Sequence, residues 1–233
     1  MEPILVYGHP LGSSMGLVAA LEWLGQPYRL TRIDLFAEVR AEPYLRLNSR
    51  GEAPLLITDR GEPLSETLAI ALWLEARDTE RRISFAPGSR QADLLHQYMA
   101  FLNTGFTAAV GPYWAAMEAA DATPEQQAAW RALGRRLVND RHRKLEAMIG
   151  EGPYLLGERP TLADALFVGV ARWADFHQAI DPADYPKIAA LKARLHEDPA
   201  VRLALALEAG EPATSPALKG HVPLEELAPR AAA

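Results

Sequence analysis

The segment spanning residues 48–73 constrains the fold more than any other part of this sequence. An apolar run opens at Pro54 and stops at the turn-forming residues 59–62, and a second short apolar stretch follows the turn. Ser65 is a typical helix N-cap, and the apolar residues beyond it recur at helical spacing. The segment therefore predicts a strand, a turn, a short strand and a helix that ends near Arg77.

The start of the chain alternates between strand and helix patterns. Residues 4–7 form a short apolar run, residues 15–24 have the pattern of an apolar helix, and residues 28–34 alternate as a second strand. With the hairpin and helix that follow, the predicted order is βαβ and then ββα. This is the order of a thioredoxin-like α/β domain, which we assign to residues 1–78.

A linker and a second domain are predicted beyond this point. Residues 79–90 are charged and then rich in Pro, Gly and Ser, which is typical of a domain boundary. Residues 91–117 have the pattern of a long helix interrupted near Gly111-Pro112, and residues 124–149 have that of another. No strand pattern recurs. We therefore predict an all-helical bundle domain over residues 91–207.

Two helix starts in this second domain carry recognisable caps. Thr123 is an N-cap followed by proline in the first turn. Thr161 and Asp164 have the spacing of a reciprocal cap, in which each side chain bonds a backbone N–H at the other position. Taken alone, both patterns indicate structure only.

The C-terminal tail, residues 208–233, is rich in proline and alanine. Such a composition is typical of a loosely ordered extension. The alternative is a lid over an active site, since loops and terminal segments often carry function.

Composition excludes several classes of function. The formal net charge of −6 leaves no basic surface for nucleic acid, and no apolar run approaches the ~20 residues that span a bilayer. The start of the chain lacks the pattern of a signal peptide, so we expect a cytoplasmic enzyme. Because the sequence has no cysteine, a protein disulfide, a zinc–thiolate site and protein-thiol redox chemistry are excluded. The six histidines form no pair at metal-ligand spacing, so we predict no metal.

The predicted helix start at Glu66 and Thr67 suits recognition of an amino acid. Free N–H groups at a helix start attract a carboxylate, and the Glu66 side chain can hold a cationic amine beside it. An ordinary cap with an acidic first turn is the structural alternative. The two groups together would hold the ammonium and carboxylate of one ligand.

Here the sequence resembles the glutathione transferase superfamily, whose first domain carries Asn-Pro-x-Gly-x-Val-Pro-x-Leu followed by Glu-Ser-x-Ala-Ile. The corresponding residues are Asn48-Ser49-Arg50-Gly51-Glu52-Ala53-Pro54-Leu55-Leu56 and Glu66-Thr67-Leu68-Ala69-Ile70. The resemblance implies a cis Pro54, backbone pairing of Ala53 with the cysteinyl part of glutathione, and a grip on the γ-glutamyl end by Glu66 and Thr67. Ser49 and Thr67 depart from the family pattern, but neither removes a needed hydroxyl or backbone group.

Three hydroxyls compete to stabilise the bound thiolate: Tyr7, Ser13 and Ser14. The loop spacing is similar to that of the bacterial beta-type branch, in which a cysteine followed by serine occupies the Ser13-Ser14 position. Tyr7 aligns with the catalytic tyrosine of other branches, although the residues after it differ. Ser13 is our leading candidate because it lies at a helix start. Plain caps at Ser13 or Ser14, and a core ring at Tyr7, are the structural alternatives.

The resemblance implies an enzyme that conjugates the glutathione thiolate to small hydrophobic electrophiles, and a homodimer. Reduction of an organic peroxide also remains open, since it needs only a bound thiolate. A non-catalytic binding or regulatory protein of the same fold is the alternative from another class. The aromatic residues Phe101, Phe106, Tyr113 and Trp114 fit either a helix core or the wall of the electrophile pocket.

Overall fold

The computed structural model describes residues 1–231, with side chains as far as Leu227. Its N-terminal part has the predicted order of strands and helices, and the thioredoxin-like prediction is confirmed. The elements are β1 (Ile4–His9), α1 (Ser14–Leu24), β2 (Tyr28–Asp34), α2 (Glu42–Leu45), β3 (Leu55–Ile57), β4 (Pro63–Ser65) and α3 (Thr67–Glu75).

One mixed sheet organises this part of the chain. The strand order is β4-β3-β1-β2-β5, where β5 (Leu218–His221) comes from the C-terminal tail. β1 pairs parallel with β2 and antiparallel with β3, and β3 pairs antiparallel with β4. Val6 in the middle of β1, Leu55 at the start of β3 and Ser65 at the end of β4 therefore lie side by side.

The second part is entirely helical as far as the tail, as predicted. Its α-helices are α4 (Arg90–Ala100), α5 (Gly111–Glu118), α6 (Pro124–Met148), α7 (Leu162–Phe176), α8 (Pro186–Glu197) and α9 (Pro199–Ala209). Within residues 1–231, no helix has both the length and the apolar character needed to cross a membrane.

The predicted long helix over residues 91–117 is interrupted earlier than expected. A π-helical turn at Phe101–Thr107 and a 3-10 turn at Ala108–Val110 separate α4 from α5. Pro112 lies in the first turn of α5, where its missing N–H costs no intrahelical bond. Gly111 therefore begins the second helix with Pro112 in its first turn, and the break precedes both residues.

Asp164 fastens the buried start of α7. Its fully buried carboxylate accepts hydrogen bonds from the N–H of Leu155 at 2.9 Å and of Thr161 at 2.8 Å, and from the Thr161 hydroxyl at 2.9 Å. Burial raises the pKa of Asp164 to about 6, against the lowering effect of these donors. The predicted reciprocal cap at Thr161 is confirmed, and it also ties down the preceding loop.

α1 and α7 cross in backbone contact at two glycines. A Cβ atom on Gly16 would lie 1.9 Å from the carbonyl oxygen of Ala165, and one on Gly169 would lie 2.4 Å from that of Ser13. Real Cβ atoms do not approach backbone this closely, so the crossing requires glycine at both positions. The close crossing fixes the start of α1 against the helical domain.

We expect Gly169→Ala to lower the free energy of unfolding by about 1–3 kcal/mol, because the new methyl group must displace the Ser13 carbonyl. Gly111→Ala is a matched control, since its helical position leaves open space for a Cβ. The control should be neutral or slightly stabilising. Urea unfolding measures both, and equal stabilities for the two variants would contradict the close crossing.

The tail differs from the expected loosely ordered extension. β5 pairs parallel with β2, and α10 (Leu224–Ala231) follows it. The N–H of Val222 donates to the Leu30 carbonyl at 2.8 Å, and the Thr31 hydroxyl donates to the Val222 carbonyl at 2.7 Å. The open edge of β2 offers unpaired backbone groups, which explains why a sequence without a strand pattern becomes a strand here. β5 occupies the edge opposite β4, away from the place where a lid over Glu66 would lie.

Candidate active site

Three segments that carry candidate residues lie near the same end of strands β4, β3 and β1. Ser65 pairs with Leu55, and Leu55 pairs with Val6 on its other side. Pro54 comes directly before Leu55, and Glu66 comes directly after Ser65. The loop that carries Ser13 follows β1. β1 continues three residues past this row, to His9, before the loop begins. Because neighbouring strands are spaced by about 4.8 Å, β4 and β1 themselves lie on the order of 10 Å apart. An extended peptide of three residues spans about the same distance.

Ala53 and Pro54 occupy the middle of this row. The peptide bond between them is cis, as the motif implied, and Pro54 is buried. Asn48 Nδ2 donates to the Glu52 carbonyl at 2.7 Å and so holds the preceding turn. Among residues 1–227, whose side chains the structure describes, none bonds either backbone polar group of Ala53. Both are therefore free to pair with an extended ligand, as in strand addition.

The helix start at Glu66 is one residue later than predicted. Ser65 belongs to β4, Glu66 is the N-cap with φ 77°, and α3 begins at Thr67. Across the described residues, the N–H groups of Thr67, Leu68 and Ala69 have no backbone acceptor. A positive φ is uncommon for a residue with a side chain and often marks a functional site. This helix start can accept an anion.

Arg50 is a charged residue at this site that sequence reasoning missed. Its Nη2 donates to Glu66 Oε1 at 3.0 Å and to the Ser65 hydroxyl, and its Nε lies 3.5 Å from a Glu52 carboxylate oxygen. These side chains are half-exposed, so the contacts exchange readily with solvent or ligand. The site thus presents one cation beside two carboxylates, and this pairing of opposite charges suits a zwitterionic ligand.

Tyr7 is a buried core residue. Its hydroxyl donates to the Leu207 carbonyl at 3.1 Å, and burial raises its pKa to about 12. The hydroxyl keeps its proton near neutral pH and directs it toward α9. Tyr7 is therefore a core residue whose hydroxyl already has a hydrogen-bond partner, which is the structural alternative to a catalytic role.

Ser13 and Ser14 are neighbours with different surroundings. Ser14 is buried, and its Oγ accepts the N–H of Gly8 at 3.0 Å across the loop. Ser13 is the half-buried N-cap of α1, and its hydroxyl bonds no other residue within the described part of the chain. The N–H groups of both serines also lack protein acceptors there. The Ser14 hydroxyl keeps its own proton to donate but is buried. The more accessible donors at this helix start are the Ser13 hydroxyl and the two backbone N–H groups.

The aromatic residues noted in the second domain have different surroundings: Phe106 lies in the core, and Trp114 packs against a residue that contacts the loop carrying Ser13. Phe106 packs against Phe167 in the core, with ring centroids 6.0 Å apart. Trp114 packs edge-on against Trp173 at 5.5 Å, and the Trp173 indole donates to the Leu11 carbonyl at 2.8 Å. Of these aromatic residues, Trp114 is the one that the structure connects to the loop carrying Ser13.

Two family models match this chain. Residues 14–77 match the model described as "Glutathione S-transferase, N-terminal domain", and residues 109–199 match "Glutathione S-transferase, C-terminal domain". The matched ranges fall on the two parts of the fold described above.

Relatives of similar length are found among known proteins. "Glutathione S-transferase-like protein OpS6" of Beauveria bassiana is 33% identical over 223 residues, which cover 90% of this chain and 97% of that protein. "Glutathione S-transferase GstA" of Escherichia coli O157:H7 is 25% identical over 205 residues, covering 85% and 96%.

Solved structures show the same fold. A glutathione transferase of Methylococcus capsulatus superimposes with a TM-score of 0.77 at 27% identity, covering 89% of this chain and 98% of that one. A sphingomonad glutathione S-transferase complexed with glutathione gives a TM-score of 0.75 at 26% identity, covering 88% and 98%.

Proposed function

The chain belongs to the glutathione S-transferase family, and we propose that it binds glutathione and conjugates the glutathione thiolate to small hydrophobic electrophiles. The observation that carries this proposal is the row across β4, β3 and β1. Along this row Ala53 and Pro54 lie between Glu66 and the strand that leads to the Ser13 loop, an order that supports binding of one extended tripeptide. The relative solved with glutathione supports the choice of ligand.

Each part of glutathione has a partner in this arrangement. The free backbone groups of Ala53, beside Pro54, pair with the cysteinyl residue in the middle of the row. The γ-glutamyl carboxylate lies at the start of α3 on the N–H and hydroxyl of Thr67, and its ammonium takes the place of Arg50 on Glu66. Arg50 is then released to the solvent or to a second ligand carboxylate.

The thiol is ionised at the start of α1. A free thiol has a pKa of about 8.5, and lowering it by about two units requires ~2.7 kcal/mol of preferential thiolate stabilisation. The Ser13 hydroxyl and the helix-start N–H groups supply donors for this purpose. Ser14, already bonded to Gly8, has the role of fixing the loop. The thiol proton passes to solvent water, and the thiolate forms a carbon–sulfur bond with the electrophilic carbon. A halide departs with the electron pair of the broken carbon–halogen bond, whereas an opened epoxide or an enone adduct takes up a proton from water.

One experiment distinguishes the proposed transferase from two alternatives, a non-catalytic binding protein and a peroxide reductase. Glutathione is first titrated while the thiolate ultraviolet absorbance is recorded, and halide, epoxide, enone and peroxide substrates are then screened. Conjugate formation supports the transferase, and consumption of peroxide alone favours reduction. Binding without any turnover would establish the non-catalytic alternative and contradict the proposed enzyme.

We expect Glu66→Ala/Thr67→Ala to weaken glutathione binding at least ~10-fold, because charge-assisted hydrogen bonds contribute about 1.5–3 kcal/mol. Isothermal titration calorimetry measures the affinity, and urea unfolding should show a stability change below about 1 kcal/mol at this exposed helix start. Glu62→Ala is a matched control in the exposed β3–β4 turn. An affinity that is unchanged in the double variant would contradict the assignment.

We also propose a homodimer in the cytoplasm. Symmetric pairing is the commonest oligomeric arrangement, and α3 leaves Leu72 44% exposed on its outer face. Glutathione, the proposed co-substrate, is a cytosolic thiol. Sedimentation at micromolar concentration should give twice the mass of one chain, and a monomer alone would contradict the dimer.

A further inference from the structure

The loop that carries Ser13 is held by an ion pair from the helical domain. Arg172 of α7 and Glu208 of α9 form a bidentate pair, in which Nη1 contacts Oε2 and Nη2 lies 2.8 Å from Oε1. The Arg172 side chain is 14% exposed and that of Glu208 is 7% exposed. The Nε of Arg172 is buried and has no partner within the described residues.

Both members of the pair bond the backbone of Gly12. The Gly12 N–H donates to Glu208 Oε1 at 3.0 Å, and Arg172 Nη2 donates to the Gly12 carbonyl at 3.0 Å. A Cβ at Gly12 would lie 2.1 Å from the Gly8 carbonyl oxygen, so the loop is folded tightly on itself. Because the Gly12 carbonyl belongs to the peptide unit that contains the Ser13 N–H, the pair fixes the direction of that N–H.

The pair is itself held by its surroundings. Arg32 Nη2 of β2 donates to the Glu208 carbonyl at 2.9 Å, and the hydroxyl of Tyr7 donates to the Leu207 carbonyl. The Trp173 indole bonds the Leu11 carbonyl, one residue before Gly12. The end of α9 is thus connected to β1, β2 and the loop at once.

Stability alone does not explain this pair. Burying two charges costs free energy that their attraction repays incompletely, and apolar residues of similar volume often serve domain docking as well or better. A bidentate pair that bonds both polar groups of one residue provides a defined loop geometry instead.

We propose that Arg172 and Glu208 are positioning residues for ionisation of the bound thiol. They hold the Gly12–Ser13 peptide so that the Ser13 hydroxyl and N–H face the sulfur. The helical domain thereby sets the thiol pKa in the other domain. This inference rests on the proposed function, because it assumes that glutathione binds beside Ser13.

The test compares Arg172→Met/Glu208→Met with Trp23→Phe. The double variant removes both contacts with the loop, and because both charges are replaced, neither is left buried without its partner. The control removes a bond between α1 and the opposite end of α9, where the Trp23 indole donates to Oδ1 of the N-cap residue Asp198 at 2.9 Å. For the double variant we expect the apparent pKa of the bound thiol to rise by ~1 unit and kcat near neutral pH to fall ~10-fold. Affinity for glutathione should stay within about twofold, since its contacts lie at Ala53 and Glu66.

Arg172→Lys keeps the charge and should give a smaller shift in the same direction, so it carries the test if the double variant does not fold. An unshifted pH profile in a folded variant, or an equal shift in Trp23→Phe, would overturn the proposal. Amide exchange of Gly8, measured without glutathione, tests the positioning role of the ion pair independently of the proposed function. Exchange should accelerate in the double variant and not in the control, whereas a wild-type protein that binds no glutathione would overturn the function itself.

Discussion

Replacing Ser13 with alanine should raise the apparent pKa of the bound glutathione thiol by about one to two units and lower kcat by about 10- to 100-fold near neutral pH. Ser13 provides the one side-chain hydroxyl at the start of α1 that no described residue already bonds. Glutathione affinity should remain nearly unchanged, because its proposed contacts are at Ala53, Glu66 and Thr67. Thiolate absorbance and the pH–rate profile measure these effects.

Two companion variants assign the role among the three hydroxyls. Ser14→Ala should lower stability, since the Gly8 N–H loses its acceptor. Tyr7→Phe should leave the pH–rate profile unchanged, since its hydroxyl bonds Leu207. If all three variants keep the wild-type profile, a backbone N–H or a group of the second domain ionises the thiol, and our assignment is wrong.

Replacing Asp164 with alanine should lower the free energy of unfolding by about 3–5 kcal/mol, because it leaves buried donors at Leu155 and Thr161 without an acceptor. Asp175→Ala is the matched control at the other end of α7. Its carboxylate is 43% exposed and pairs with Lys192, so the expected loss is below about 1 kcal/mol. Similar losses in the two variants would contradict the role of the buried cap.

The penalty at Asp164 should also depend on pH. Its pKa in the folded protein is raised to about 6, above the ~3.9 of an unfolded chain. The stability that comes from this shift is therefore fully present below about pH 4 and is lost as the pH rises through about 6. The difference in unfolding free energy between wild type and Asp164→Ala should be larger near pH 4 than near pH 8. A difference that is constant over this range would contradict the raised pKa.

Local patterns predicted the fold well where the cause is local. Hydrophobic periodicity gave the thioredoxin-like order, and the spacing of Thr161 and Asp164 gave a helix start, because both depend on residues within a few positions of each other. The motif around Ala53 implied the cis bond that the structure contains. The error of one residue at Ser65 arose because its pairing with Leu55 extends β4 past the expected cap.

Features that depend on distant residues were not predicted. β5 becomes a strand because β2 has an open edge, and this edge is 180 or more residues earlier in the chain. The contact of Gly12 with Arg172 and Glu208 joins residues 160 and 196 positions apart. Arg50 precedes the hairpin, and only the strand pairing brings it to Glu66. The pattern of a single sequence does not indicate which distant residues pair. An arginine or glutamate on a largely apolar helix, such as Arg172 or Glu208, does indicate that a buried partner is needed.

The pKa of the thiol in the complex of wild-type protein and glutathione shows whether this chain activates glutathione. The complex is titrated with base while thiolate absorbance is recorded, with free glutathione as the reference. We expect an apparent pKa of about 6.5, roughly two units below that of a free thiol. A bound thiol with the pKa of free glutathione, or no binding at millimolar glutathione, would contradict the account.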